Sequence, residues 1–250
     1  MTILGSWVLP VLFSPFAGSF VGVIVSRAAS PRGIVFGRSA CASCGARLEA
    51  RDLVPLLSWL ALRGRCRSCG RPIGAFHPLI ELAAIVIAVW SAALFSGSLL
   101  WVSCLFGWTL LALAATDLKY YLLPDFLTLP LIPAGLFAAW AFDSPALRAH
   151  AIGAVAGYAF VVVLRLVYSR IRGREGMGLG DAKLLAASGA WLAWTGLASV
   201  ILLGALAGLV FALFLARRGA TLSLTNRVPL GAFLCLGTWL VWLYGPLTAG

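Results

Sequence analysis

Acidic residues are scarce in this chain: eight among 250, against 19 lysines and arginines, for a formal net charge of +11. Charged residues of either sign make up only 11% of the sequence, while 62% is hydrophobic and the mean hydropathy is +1.00. One soluble core of this length cannot bury that much apolar surface, so a soluble globular domain is excluded. Histidine is nearly absent too. His77 and His150 are the two present and form no HExxH motif, which argues against a metalloprotease of that type. No basic segment precedes the first apolar run, whose first positive charge is Arg27, so a cleaved signal peptide is not expected. There is no internal repeat of the kind many transporters carry. There is also no continuous basic face interleaved with aromatics, so no nucleic-acid partner is expected.

What the chain has in abundance is long apolar runs. Segments of roughly 20 residues, enough to cross a hydrocarbon layer of about 30 Å, recur almost to the carboxyl end. Eight are expected, at about 3–25, 78–96, 98–116, 123–142, 148–170, 182–196, 197–216 and 228–246. The stretch 182–216 reads as two short spans or one kinked element, with Gly189, Thr195 and Gly196 favouring the split. Fold class is therefore all-α polytopic membrane protein, with about eight transmembrane helices. Nine of the basic residues fall between Arg27 and Arg71, and others cluster at Lys119, Arg170 to Arg174 and Arg217 to Arg227. Eight spans with the amino terminus outside put all of these in the cytoplasm and leave only Arg148 in the opposite loops. The positive charge then reports topology and attraction to anionic membrane lipid.

One segment breaks the membrane pattern. Residues 27–77 contain CASC at 41–44 and CRSC at 66–69. Two CxxC pairs at this separation can each bend a turn so that their thiolates face one ion, and Cys41, Cys44, Cys66 and Cys69 make a tetrahedral four-sulfur site suited to structural zinc. Paired disulfides are the rival, but a cytoplasmic loop keeps its thiols reduced. Cys104 and Cys235 stand alone in apolar runs and read as small buried hydrophobes. The expected division is a first span at 1–26, a small cytoplasmic zinc-binding insert at 27–77 and a membrane core at 78–250.

An acid at the edge of a span is expensive and needs a reason. Asp125, just after Pro124, has one, since proline followed by an acid marks a helix start. Asp181, in GMGLGDAKLL, could likewise serve a helix amino end. Asp117, in LALAATDLKYY, cannot: it closes a span, at the unfavourable pole of the helix dipole. Asp117 and Asp181 are expected on the same side of the membrane. Two such carboxylates can share a proton, one ionised to draw a proton from water and one protonated to polarise a carbonyl. From the dipoles alone, Asp181 is expected to start as the base and Asp117 to hold the proton. Gly178 and Gly180, with Gly176, would let an extended substrate come close to Asp181. Glu81, near the start of the second span, reads either as an answer to the helix dipole or as a participant in methyl transfer.

Taken together, EGMGLGDAKLLAASGAW, TDLKYYLLPDFLTLPL, the CxxC pairs with LRGRCRSC, HPLIE at 77–81 and GSFVGVIVSR at 18–27 resemble the type IV prepilin peptidases, the leader peptidase and N-methyltransferase family. The resemblance runs in order over nearly the whole chain. It implies a GxGD-type membrane aspartyl peptidase of the cytoplasmic (inner) membrane that removes the short basic leader of type IV prepilins or type II secretion pseudopilins after a glycine. It also implies methylation of the new amino terminus from S-adenosyl-L-methionine. By motif matching the catalytic pair is Asp117 and Asp181. Departures from the family's pattern are Ala42 where a proline commonly follows the first cysteine, His77 where a tyrosine is frequent, and Pro229, Leu230, Gly231, Ala232, Phe233 in place of Pro-Phe-Gly-Pro-Phe. None is expected to touch the acid pair. The non-enzymatic alternative is a multi-span transporter using Asp117 and Asp181 as an ion or proton site.

Overall fold

The computed structural model describes residues 7–28, 39–173, 178–218 and 228–247. The described residues are helical almost throughout, without strands beyond two isolated bridges, Ala40 with Arg47 and Arg65 with Pro72. The helices are α1 (Val8–Arg27), α2 (Leu57–Ala61), α3 (Phe76–Leu94), α4 (Gly97–Tyr120), α5 (Asp125–Phe142), α6 (Leu147–Arg172), α7 (Leu179–Arg217) and α8 (Leu230–Tyr244). The chain divides into two compact units, Met1–Ala112 and Leu113–Gly250, with the boundary inside α4.

Among the described residues six helices, α1 and α3 to α7, are long and apolar enough to cross a membrane, and the 15-residue α8 is a shorter apolar helix. The expected spans at 182–196 and 197–216 fall within one 39-residue element, α7, so helix length alone does not give a count of eight. Large apolar side chains such as Val155, Phe137 and Val210 point outward, as lipid-facing positions would.

Without a hydrophobic drive between helices in lipid, small residues let helix backbones approach closely. In the first unit this happens between α1 and α3. A Cβ on Gly18 would lie 2.6 Å from the Glu81 Cα, and one on Gly22 would lie 2.6 Å from Nδ1 of His77. The Trp108 indole N–H of α4 donates to the Ala84 carbonyl of α3 at 3.1 Å.

In the second unit α6 crosses α7 where Gly153 and Gly189 face one another, and a Cβ on either would strike the other's backbone. On the α5 side, Trp191 of α7 donates its indole N–H to the Leu131 carbonyl at 2.9 Å. Toward α8, the hydroxyls of Ser188 and Thr238 pair at 2.7 Å in a fully buried position. Since Ser188 Oγ also lies 3.0 Å from the Leu184 carbonyl, it donates there and accepts from Thr238.

The break in α7 falls at Ala193, with φ 57° and ψ 178°, rather than at Gly189, Thr195 or Gly196. Gly189 is committed to the α6 crossing, so the irregular backbone is displaced four residues along. One turn before the break, His150 Nδ1 lies 2.9 Å from the Ala190 carbonyl, a contact that requires a proton on Nδ1. An alanine in this region of φ/ψ space carries strain that glycine does not. Ala193→Gly is therefore expected to raise stability by about 1 kcal/mol, read as a higher melting temperature in detergent. An unchanged or lower value would mean the Ala193 backbone is not strained.

Candidate active site and metal centre

The two acids singled out in the sequence both lie in the second unit, one near the end of α4 and one in the first turn of α7. Asp117 is 6% exposed. Its carbonyl accepts the Tyr121 N–H at 2.8 Å, and Tyr121, at φ 54°, ends the helix in the left-handed region. The chain then runs through Leu122 and Leu123 to Pro124, which caps α5, and Asp125 begins that helix. At α7, Gly178 is the N-cap and Asp181 the third helical residue, whose carboxylate accepts a hydrogen bond from the Gly178 backbone. Asp117 and Asp181 are near enough for their charges to interact.

The carboxylate of Asp117 does not face the end of its own helix. Its Oδ2 accepts the Ala232 N–H at 2.9 Å, and the Gly231 backbone also bonds it. Both donors belong to the first turn of α8, where helical N–H groups have no partner in their own helix and favour negative charge. The segment Pro229 to Phe233, expected to leave the acid pair untouched, therefore supplies backbone donors to Asp117. The assignment of base and acid from helix dipoles loses its premise as well, because each carboxylate faces a helix amino end.

Leu123 holds these parts together. A Cβ on Gly180 would lie 3.0 Å from the Leu123 Cβ, and one on Gly231 would lie 2.8 Å from its Cδ1 and 3.0 Å from Asp117 Oδ2. One buried leucine side chain thus packs against the glycines that open α7 and α8. Gly178 is exposed, with space beside its Cα, while Gly176 lies outside the described residues. Asp125 begins α5 as expected, and its carboxylate also takes the Lys183 ammonium at 2.6 Å. Being largely exposed, this pair adds little stability. It does tie the first turn of α5 to the second turn of α7.

In the first unit the two CxxC pairs form matching turns. Gly45 N–H donates to the Cys41 carbonyl and Gly70 N–H to the Cys66 carbonyl, each at 2.9 Å, and both glycines have positive φ, 70° and 68°. All four cysteines are free, and their sulfurs lie within 4.8 Å of one another, with Cys41 and Cys69 4.0 Å apart. A tetrahedral ion with metal–sulfur bonds of about 2.3 Å spaces its sulfurs by about 3.8 Å, so the cluster could hold a metal after little contraction. The backbone N–H groups of Cys44 and Ser43 bring Cys41 down to about 6. Although the Ala46 backbone favours the Cys44 thiolate, the neighbouring Cys41 and Cys69 push that thiol up to about 11. Thiols this close cannot all ionise unless a cation balances them. Asp52 steadies the second turn by accepting Arg67 Nε at 2.8 Å.

A family model described as Bacterial Peptidase A24 N-terminal domain matches residues 12–95, and one described as Type IV leader peptidase family matches residues 104–213. Proteins named prepilin leader peptidase/N-methyltransferase are similar along most of the chain. The one from Aeromonas hydrophila is 37% identical over 266 residues, covering 95% of this chain and 90% of its own. The chain belongs to the type IV leader peptidase family. The Burkholderia pseudomallei relative is 47% identical over 204 residues, 80% of this chain, and the chain spans 65% of that relative's length. The Pseudomonas aeruginosa relative is 37% identical over 217 residues, covering 85% of this chain and 73% of its own. No solved structure matches.

For this leader peptidase family member, sequence reasoning singled out both acids and all four cysteines as candidates, and did not single out Leu123 or the opening of α8, which the structure places against Asp117 and Gly180. A signal for the latter was present: Pro229 directly before an apolar run reads as a helix start, and a helix start is a place to put a carboxylate. Nothing in the sequence said which carboxylate. Cys66, 6% exposed, is the most buried of the four thiols. Cys66→Ser is expected to abolish stoichiometric metal binding and to make residues 39–75 sensitive to protease, measured by metal analysis of the purified protein and by limited proteolysis. Full metal retention in the variant would mean that the four sulfurs do not form one site.

Proposed function

We propose that this protein is a membrane aspartic endopeptidase that removes the basic leader of type IV prepilins or type II secretion pseudopilins after a glycine and then methylates the new amino terminus. The observation that supports the reading is that Asp117, held by the opening of α8, and Asp181, in the opening of α7, lie near enough for their charges to interact. Such a pair shares one proton. The ionised member takes a proton from the attacking water while the protonated member polarises the scissile carbonyl, and the proton then passes to the leaving amine. The Gly231 and Ala232 N–H groups hold Asp117 in place through this exchange. Exposed Gly178 leaves room for an extended peptide beside Asp181.

On this reading the basic segments lie in the cytoplasm, the amino terminus lies outside, and the acid pair opens on the cytoplasmic side of the inner membrane, where a basic leader is presented. The four cysteines hold zinc, whose preference for tetrahedral thiolates fits the sulfur spacing. S-adenosyl-L-methionine supplies the methyl group.

Asp117→Asn and Asp181→Asn are each expected to lower leader cleavage by at least about 100-fold, because an amide keeps the shape but cannot share the proton. Asp125→Asn is expected to cost far less, since that residue works through an exposed pair with Lys183. The assay is cleavage of a model prepilin by detergent-purified protein, followed by mass spectrometry. Retained cleavage in either dyad variant would overturn the assignment. Failure of well-folded wild-type protein on several prepilins would favour the transporter reading.

A further inference from the structure

The segment between α1 and α3 carries an apolar patch that the fold leaves uncovered. Residues 56–62, LLSWLAL, contain no charge and one hydroxyl, at Ser58. A helix apolar on all sides needs cover on all sides, and the chain covers one. Leu56, Trp59 and Leu62 face the cavity that the segment encloses with α1 and α3. The Trp59 ring also lies against Gly64, and its indole N–H donates to the Ile73 carbonyl at 3.4 Å. Leu57 and Leu60, one turn apart in α2, are 66% and 61% exposed. Leu53 and Val54, just before the helix, are exposed as well.

A second observation sets the depth of this patch. The Leu56 N–H, at the opening of α2, donates to the Glu81 carboxylate at 2.8 Å. Glu81 lies in the second turn of α3, an apolar helix of 19 residues. At 1.5 Å per residue such a helix is about 28 Å long, so crossing a hydrocarbon layer of about 30 Å uses it nearly end to end. Its second turn, and α2 with it, therefore lie at the edge of that layer. Leu79 and Leu82 of α3, at the same level, are exposed in the same way. The placement of α2 is held against strain, since Leu56 has φ 58° and ψ −49°, a costly conformation for leucine.

The charges around the patch are of one kind. Residues 39–75 hold six arginines against two acids, Glu49 and Asp52, and those acids are taken by Arg51 and Arg67. Arg63 and Arg65, which follow α2 directly, are exposed and meet no described acid. Leucines bordered by such arginines suit a membrane interface, where the leucines enter the upper acyl chains and the guanidinium groups reach lipid phosphates.

We propose that α2 is an interfacial element seated in the acidic-phospholipid surface of the membrane that α1 and α3 cross, with Leu57 and Leu60 in the acyl boundary and Arg63 and Arg65 on the headgroup phosphates. Lipid thereby anchors the four-cysteine segment at a third point, besides its chain connections to α1 and α3. The inference is independent of leader cleavage and of methyl transfer.

The test uses full-length wild-type protein in nanodiscs of mixed phosphatidylglycerol and phosphatidylcholine, with a photoreactive diazirine in the acyl chain of a small share of the lipid. After illumination, labelled positions are read by peptide mass spectrometry. Label is expected on residues 53–62, as on Leu79 and Leu82, and not on the CxxC turn at 41–44. Nanodiscs of phosphatidylcholine alone are expected to lower the label on 53–62 by at least about 3-fold relative to α3. Arg63→Gln combined with Arg65→Gln is expected to bring the label in mixed nanodiscs down to that lower value, with metal content and melting temperature establishing that the variant is folded. Should it fail to fold, high salt added to the wild-type protein in mixed nanodiscs is expected to give the same loss. An unlabelled 53–62 beside a labelled α3 would overturn the proposal, and cross-links from α2 to α2 between copies would then identify self-association as the cover of the patch. Label on 41–44 equal to that on 53–62 would overturn the assignment to α2. Label on 53–62 indifferent to lipid charge would overturn the role of the arginines.

Discussion

A carboxylate at the end of a membrane helix has to be given hydrogen-bond donors, and the second unit is arranged around that need. Asp117 closes α4, where the dipole of its own helix opposes a negative charge. The donors come from another helix, through Gly231 and Ala232 at the opening of α8. Asp181 finds its donor at the opening of α7, from Gly178. Two helix amino ends therefore converge on one place, and the two acids converge with them. Leu123 fills the space between the opening turns, which is possible because residues 180 and 231 have no side chain.

Glycine has two distinct uses in this chain. At Gly45 and Gly70 it supplies the left-handed turn that follows each CxxC pair. At Gly18, Gly153, Gly189 and Gly237 it lets one helix backbone lie against another, which in lipid replaces the hydrophobic drive that packs soluble helices. Gly189 is committed to the crossing with α6 while the break in α7 falls at Ala193, and His150 of α6 bonds the nearby Ala190 carbonyl. The irregularity in α7 thus follows from the packing of α6.

In the first unit, fewer than forty residues between Ser39 and Phe76 must hold a defined shape with few large buried side chains. Cross-links supply that shape: the four sulfurs gathered around one point, Asp52 with Arg67, and Glu81 with Leu56. A segment of this size gains a large share of its folding free energy from an ion when one binds. The same cross-links leave a cavity beside α1 and α3 rather than a packed core.

Much of this was readable in the sequence, because composition and spacing are local quantities. Long apolar runs require membrane helices, two CxxC pairs can place four thiolates around one point, and an acid at the wrong end of a helix calls for a reason. Asp117, Asp181 and the four cysteines could be named on those grounds. The sequence could not say which helix would answer the charge of Asp117, since Ala232 and Asp117 meet only after α4 and α8 have packed. Nor could it place the break in α7, because glycine propensity pointed to Gly189 and Gly196 while the crossing with α6 had already claimed Gly189. Hydrogen-bond donors and cavities are shared between segments distant in the chain, and only their packing assigns them.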